Sequence, residues 1–343
     1  MGNGGGGGSS TAEAPRCVRY IVRKKTFISP EFVHFIPLPS MPVSLPDLSV
    51  ATTIHNNVDR WMEMAFSLEK EACLPFEIIV VDDGSKVPAD IKGLRSPVRV
   101  VRNEKPRGFC GASNQALNEV KTPFGLLLDA DITFLPGDFL AVFESFKSLP
   151  KLAWCNFQQL NREGINSGSG EEDIPPASVY ALGNPAIERW WRWRMATYKI
   201  EHLNPRVQTM VVAHSSSTLV RMAAFREING FDLRYWQCQS DNDVCLRLIK
   251  AGWQVGLDQI YTVVHDGIGG KTGGKKRVYD LYRGRLLLYE THWPSSRFYL
   301  RFLLFFRHLA EAVVAVFDRN PEDHRRPSFR LHLALRALIG YPS

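Results

Sequence analysis

Phe76-Glu77-Ile78-Ile79-Val80-Val81-Asp82-Asp83-Gly84-Ser85 is an almost wholly apolar run that stops at two acids, a glycine and a serine. A short apolar run closed by a turn signal reads as a strand buried on both faces, and its polar end is where an open α/β sheet meets ligands. The same pattern recurs around it. Upstream, a β-rich stretch from Leu48 to Thr53 ends at Asn56-Asn57, and Val58 to Lys70 carries Trp61, Met64, Ala65 and Leu68 at helical spacing. Downstream, Val98 to Arg102 predicts a strand, Gly111 to Glu119 a helix, and Phe124 to Leu128 a further strand ending in Asp129-Ala130-Asp131. Strands alternating with helices predict an α/β fold on a mixed, mainly parallel sheet flanked by helices.

The pattern loosens after residue 160 and then resumes. Asn161 to Pro176 is polar and loop-like, and Ala177 to Val212 is rich in Trp and Arg. Strand character returns over Val211 to Arg221, followed by a turn at Asn229-Gly230-Phe231-Asp232 and a helix over Asp241 to Lys250. Gly256 to His265 reads as a late strand, and Gly267 to Arg277 as a glycine-rich loop carrying Lys271, Lys275, Lys276 and Arg277.

Composition narrows the class. Of the 343 residues, 45% are hydrophobic and 22% charged, which excludes a mainly disordered chain, and the net charge of +7 suits an anionic substrate or membrane surface. Six cysteines without Cys-x-x-Cys spacing read as reduced cytosolic thiols. Residues 1–45 read as a disordered Gly-rich tail and leader, 46–292 as the folded α/β domain, and 293–343 as basic amphipathic helices. No run of about 18 uncharged apolar residues predicts a spanning helix. From Phe298 to Phe317 the polar residues Arg301, Arg307, His308 and Glu311 share one arc of a helical wheel, with Phe302, Phe305, Phe306, Leu309 and Val313 outside it. Two readings stay open: a helix packed on the protein's own core, or one lying on a membrane.

The acids carry the chemistry. Asp129 and Asp131, two apart in extended chain, face the same side; they serve either as the turn residues that commonly follow a strand or, since their mutual repulsion calls for neutralisation, as ligands of a cation such as Mg²⁺ or Mn²⁺. Asp82 and Asp83 at another strand end serve either as a turn and cap or as acceptors for a ligand. Asp241 and Asp243, around Asn242, cap a helix or supply a general base. His265 is a candidate third metal ligand or a satisfied histidine.

Taken in order, Val80 to Ser85, Gly108-Phe109 through Asn114, Leu127 to Asp131, Gly230-Phe231-Asp232 and Asp241 to Leu248 resemble glycosyltransferase family 2, inverting sugar transferases with the GT-A fold. His265, Gly269-Gly270 and Tyr282-Arg283 are similar to its rhamnosyltransferase-like branch. The resemblance implies a donor such as a UDP-, dTDP- or GDP-sugar, a glycan or lipid-linked acceptor, and a Mn²⁺ or Mg²⁺ cofactor. It implies that Asp83, helped by Asp82, meets the nucleoside, with Asn56, Ser85, Gly108, Asn114 and Asp129 also on the donor. It further implies that Asp129, Asp131 and His265 hold the metal, that Asp241 is the base, and that Lys271, Lys275 or Arg277 closes over the phosphates. Thr53-Ile54-His55-Asn56 keeps only the Asn of the family's Pro-Thr-Tyr-Asn, Ser240 stands where an acid usually precedes the base, and Leu233 replaces a Glu. A catalytically silent sugar-nucleotide- or glycan-binding relative is the rival reading. Nucleic acid is not expected, since no such module accompanies the Trp190/Trp191/Trp193 and Arg189/Arg192/Arg194 cluster.

Overall fold

The computed structural model describes residues 43–183, 185–195, 200–267, 274–317 and 325–342. The expectations for the leader, Cys17, Gly269-Gly270 and Lys271 lie outside the described residues, as do the side chains of Arg192 and Trp193.

The chain runs β1 (Val43–Ile54), α1 (Val58–Glu71), β2 (Cys73–Asp82), β3 (Val98–Arg102), α2 (Gly108–Glu119), β4 (Phe124–Leu128), β5 (Ile132–Phe134), α3 (Phe139–Ser148), β6 (Leu152–Leu160) and β7 (Gly170–Glu171). It continues with α4 (Ala177–Leu182), α5 (Pro185–Met195), β8 (Val207–Thr209), β9 (Val212–Ala213), β10 (Ser217–Arg221), α6 (Met222–Glu227), α7 (Ser240–Lys250), β11 (Gln254–His265), α8 (Gly274–His292), α9 (Arg297–Ala315) and α10 (Pro327–Ile339). Nine strands form the main sheet in the order β3-β2-β1-β4-β10-β6-β11-β5, with β8 against β11. β3, β2, β1, β4, β6 and β11 run one way; β10, β5 and β8 oppose them.

Strand pleating explains the two cores. Val50, Ile78, Val80, Leu126 and Leu128 point to one face, where α1 lays down Trp61, Met64, Ala65 and Leu68, and α3 adds Phe139, Phe143 and Phe146. Ala51, Ile79, Val81 and Leu127 point to the other, covered by α2, α6, α7 and α8. Leu300 and Leu304 of α9 and Phe329 and Leu333 of α10 belong to that second core.

Register fixes where the site forms. Ile54 pairs with Asp82 and Thr52 with Leu128 in parallel, so the carboxyl ends of β1, β2 and β4 share one edge. β10 enters that edge antiparallel, with Ser217 opposite Leu128. β11 delivers His265 opposite Ile132.

The strand character expected over Val211 to Arg221 divides into β9 and β10 around a turn, β1, β2 and β11 start earlier than expected, and two further boundaries differ in ways that bear on the site. The second helix begins at Gly108, three residues early, because Asp83 supplies acceptors for the N–H groups of its first turn. The glycine-rich loop is shorter than 267–277, since α8 starts at Gly274 and carries Lys275, Lys276 and Arg277. No breaker lies between that glycine and the helical run that follows, so the basic residues join the helix.

Candidate active site

The acids at the end of β2 are turned inward. Asp82 is fully buried, accepting from Ser85 N at 2.9 Å and from the Arg102 guanidinium. Burial works against its ionisation, but the Ser85 hydrogen bonds and Arg102 outweigh it and hold the carboxyl below the usual range. Asp83 accepts from Asn103 Nδ2 at 2.9 Å, from Arg107 N at 2.8 and 3.0 Å, and from Gly108 N at 3.0 Å. Its carboxylate thus meets N–H groups that a helix start leaves without a partner. Gly108 sits at φ +75°, and a Cβ there would lie 2.7 Å from the Trp236 indole, so only glycine fits.

Asn56 and Asn114 are held in similar internal bonds. Asn56 N donates to Ser85 Oγ at 2.9 Å, and its Oδ1 accepts from Lys86 N at 2.8 Å, tying β1 to the turn after β2. Asn114 grips the backbone of Phe231 from both sides, donating to its carbonyl and accepting from its N–H, each at 2.8 Å. A Cβ on Gly230 would lie 2.5 Å from Asn114 Oδ1, which is why that turn carries glycine. Arg277 is exposed on α8.

A different set of groups lines an open cleft of about 190 Å³: Phe109, Asp129, Ser215, Ser216, Asp241 and His265 among them. One ligand atom each from Asp129, Asp131 and His265 lies within 4.8 Å of the others. His265 Nε2 is 3.8 Å from Asp129 Oδ2 and 3.4 Å from Asp131 Oδ1. Asp129 keeps 32% of its side chain accessible within the cleft, but protein crowds around it. That crowding pushes its carboxyl up, His265 opposes the push, and the charges of Asp131 and Asp241 add to it, leaving the group at about 7. Burial would lower His265, yet its hydrogen bond to Asp131 and the charges of Asp129 and Asp131 outweigh burial and raise it.

Asp241 stands in the first turn of α7, where the helix dipole favours negative charge. Its Oδ1 accepts from Ser215 Oγ at 2.6 Å, and its other oxygen has no hydrogen-bond partner among the described residues. The nearby Asp243 is spent structurally, paired with Arg247 at 2.7 Å and His292 at 2.9 Å and fully buried.

Beneath the cleft runs a polar network that the sequence reading missed. His265 Nδ1 meets Gln159 Oε1 at 3.0 Å. Gln159 Nε2 donates to Ser216 Oγ at 2.6 Å, Asn156 Oδ1 at 3.1 Å and Ser217 Oγ at 3.2 Å. Asn156 Oδ1, itself held by Phe157 N at 2.7 Å, can only accept, so the Gln159 amide nitrogen faces it and Oε1 faces the imidazole. Nδ1 therefore carries the proton in the neutral ring, and the Nε2 lone pair points at the two carboxylates. A sequence signal existed: Asn156 and Gln159 interrupt the largely apolar, buried β6, and Ser215-Ser216-Ser217 stand at the turn into the apolar β10.

The donor set suits a divalent cation. Two carboxylates supply hard oxygen ligands and the imidazole a nitrogen, a set that could hold a divalent metal.

A mixed, mostly parallel sheet with helices on both faces and acids gathered at its carboxyl edge is the arrangement of the GT-A fold. The family model described as Glycosyl transferase family 2 matches residues 49–229, just over half of the 343, and the chain belongs to that family. Among relatives, a pre-mycofactocin glycosyltransferase of Mycobacterium tuberculosis is 26% identical over 234 residues, covering 67% of this chain but only 45% of that protein. An N-acetylglucosaminyl-diphospho-decaprenol L-rhamnosyltransferase of the same organism is 24% identical over 225 residues, covering 61% of this chain and 71% of that one. Among solved structures, GalNAc-T7 with UDP, GalNAc and Mn²⁺ shares the fold, with a TM-score of 0.50 and 14% identity over 86% of this chain and 55% of that one.

Proposed function

We propose that this chain is a metal-dependent inverting glycosyltransferase that moves a sugar from a nucleoside diphosphate to an acceptor hydroxyl. The observation that carries the reading is convergence: Asp129 from the end of β4, His265 from the end of β11 and Asp241 from the start of α7 line one cleft. Asp129, Asp131 and His265 would hold the ion. When bound, Mn²⁺ or Mg²⁺ supplies positive charge against the developing negative charge of the leaving diphosphate.

Asp241 takes the proton of the acceptor hydroxyl as that oxygen bonds to the anomeric carbon. The bond to the diphosphate oxygen breaks on the opposite face, so one displacement inverts the centre. Ser215 holds one carboxylate oxygen of the base, which leaves the other for the incoming hydroxyl. Asp82, Asp83, Asn56, Ser85, Gly108 and Asn114 shape the donor side mainly by building the loop walls. Arg277 and Lys271 are proposed to meet the phosphates. The donor is a sugar nucleotide and the acceptor a glycan or lipid-linked hydroxyl compound met at a cytosol-facing membrane surface, in assembly of a larger glycan.

The test is nucleotide release from UDP-, dTDP- and GDP-sugars, with and without Mn²⁺, in the wild type and in Asp241→Asn. Release that needs Mn²⁺ and falls about 10²–10⁴-fold in the variant is expected. Unchanged release in Asp241→Asn removes it as the base. Wild-type binding without turnover, by contrast, makes the chain a sugar-nucleotide-binding module.

A further inference from the structure

α9 is built inside out. Its polar arc, which a water-facing helix would expose, is turned towards the protein. His308 is fully buried, bonded to Glu311 at 3.2 Å and to Tyr341 Oη at 3.1 Å. Arg301 reaches Glu290 and the Ala337 and Leu338 carbonyls, and Arg307 reaches Glu311 at 2.9 Å and the Ala181 carbonyl at 3.1 Å. Phe298, Phe302, Phe306, Leu309, Val313 and Val316, meanwhile, are exposed. At about 100° per residue those six fall within an arc of about 80°, a continuous outward stripe along the helix. α10 repeats the arrangement, burying Phe329, Leu333 and Ala337 while exposing Leu331, Leu335, Leu338 and Ile339.

Exposed apolar stripes on this scale mark a surface that meets another apolar phase. A cavity of about 660 Å³ lies away from the carboxylate cleft. It extends this surface instead, with Leu182, Leu303, Phe306 and Val314 among its walls.

Charge selects the occupant. α10 contains no acid, and Glu311, the one acid of α9, is held inward by Arg307, His308 and Arg330. Arg297, Arg325 and Arg326 are exposed at the helix ends. From Arg297 to the end the sequence holds eight Arg and four acids, a net of +4. Two copies brought face to face would set like charges together, whereas a bilayer with anionic headgroups complements them. No described helix is long and apolar enough to cross a membrane, so the surface lies in the interface plane.

We infer that the outward stripes of α9 and α10 form a docking surface for an anionic lipid bilayer. This gives the membrane attachment proposed above a definite surface, and it stands independently of Asp241 and the metal ligands. Phe302 and Phe306, stacked edge to face at 4.6 Å, sit at its centre.

The test uses the full chain with vesicles of phosphatidylcholine alone or mixed with phosphatidylglycerol. Co-sedimentation is compared between the wild type and Phe302→Asp/Phe306→Asp, with circular dichroism checking the fold and light scattering the mass. Wild-type binding to the mixed vesicles, weakened by salt and reduced at least about tenfold in the variant, is expected. Nucleotide release on a water-soluble acceptor should be unchanged in the variant, which separates failure of this surface from failure of the catalytic reading. Equal binding by both proteins, no wild-type binding, or a wild-type dimer that the variant dissociates would overturn the inference. If the double variant misfolds, Leu335→Asp on α10 is read in the same way.

Discussion

Two strand ends of this protein look alike in sequence and behave in opposite ways. β2 and β4 are both apolar runs closed by a pair of acids, and both stop at the same edge of the sheet. At β2 the carboxylates are consumed: Arg102 and Ser85 take Asp82, while Asn103 and the start of α2 take Asp83. At β4 Asp129 stands close to two further acids, and its carboxyl is pushed up to about 7. The difference comes from what lies opposite. A helix N-terminus and an arginine cancel negative charge, whereas Asp131 and Asp241 add to it. One residue type at one edge thus meets two electrostatic settings, told apart by its partners.

The contrast is broken most directly by Asp131→Asn. Loss of one of two carboxylate ligands is expected to weaken Mn²⁺ binding by about 100-fold or more, with thermal stability in the absence of Mn²⁺ unchanged or raised as the repulsion falls. Calorimetric titration with Mn²⁺ and a melting curve together check this, and an affinity equal to that of wild type would remove Asp131 from the ion site. The mirror experiment is Asp83→Ala. It should cost about 2 kcal/mol of folding stability, because three backbone and side-chain N–H donors lose their acceptor, while Mn²⁺ affinity stays as in the wild type. Denaturant unfolding followed by fluorescence gives the first quantity.

The smallest effect sharpens the picture. Gln159→Leu keeps the approximate volume but frees the His265 ring to take the other tautomer, and Mn²⁺ affinity should fall about tenfold. Manganese electron paramagnetic resonance reads it directly, and an unchanged dissociation constant would leave the network with a purely structural role.

How far the sequence revealed this depends on the kind of information needed. β4 has the bounds its apolar run predicts, because a strand buried on both faces must be continuously apolar; β3, a half-buried edge strand carrying two arginines, also keeps its predicted bounds. Trp61, Met64, Ala65 and Leu68 likewise bury where helical spacing puts them. Asp129, Asp131, His265 and Asp241 were legible as candidates from their place at element ends. The internal fates of Asp83 and Asn114 were not. Those depend on Gly108 and Phe231, whose proximity is set by tertiary packing and leaves no local periodicity. The direction of α9 was hidden for a related reason: a helical wheel separates two faces but does not say which one meets the protein.

The clasp around α2 has a practical meaning for anyone recombining this chain. Asp83 fastens the beginning of that helix, Trp236 covers Gly108, and Asn114 locks onto the turn at Phe231, so the segment is stitched to both the early and the late parts of the polypeptide. A chimera that swaps residues 43–128 for those of a relative while keeping 229–236 would leave these stitches mismatched. Exchanges intended to alter donor choice should therefore move the two stretches as one unit.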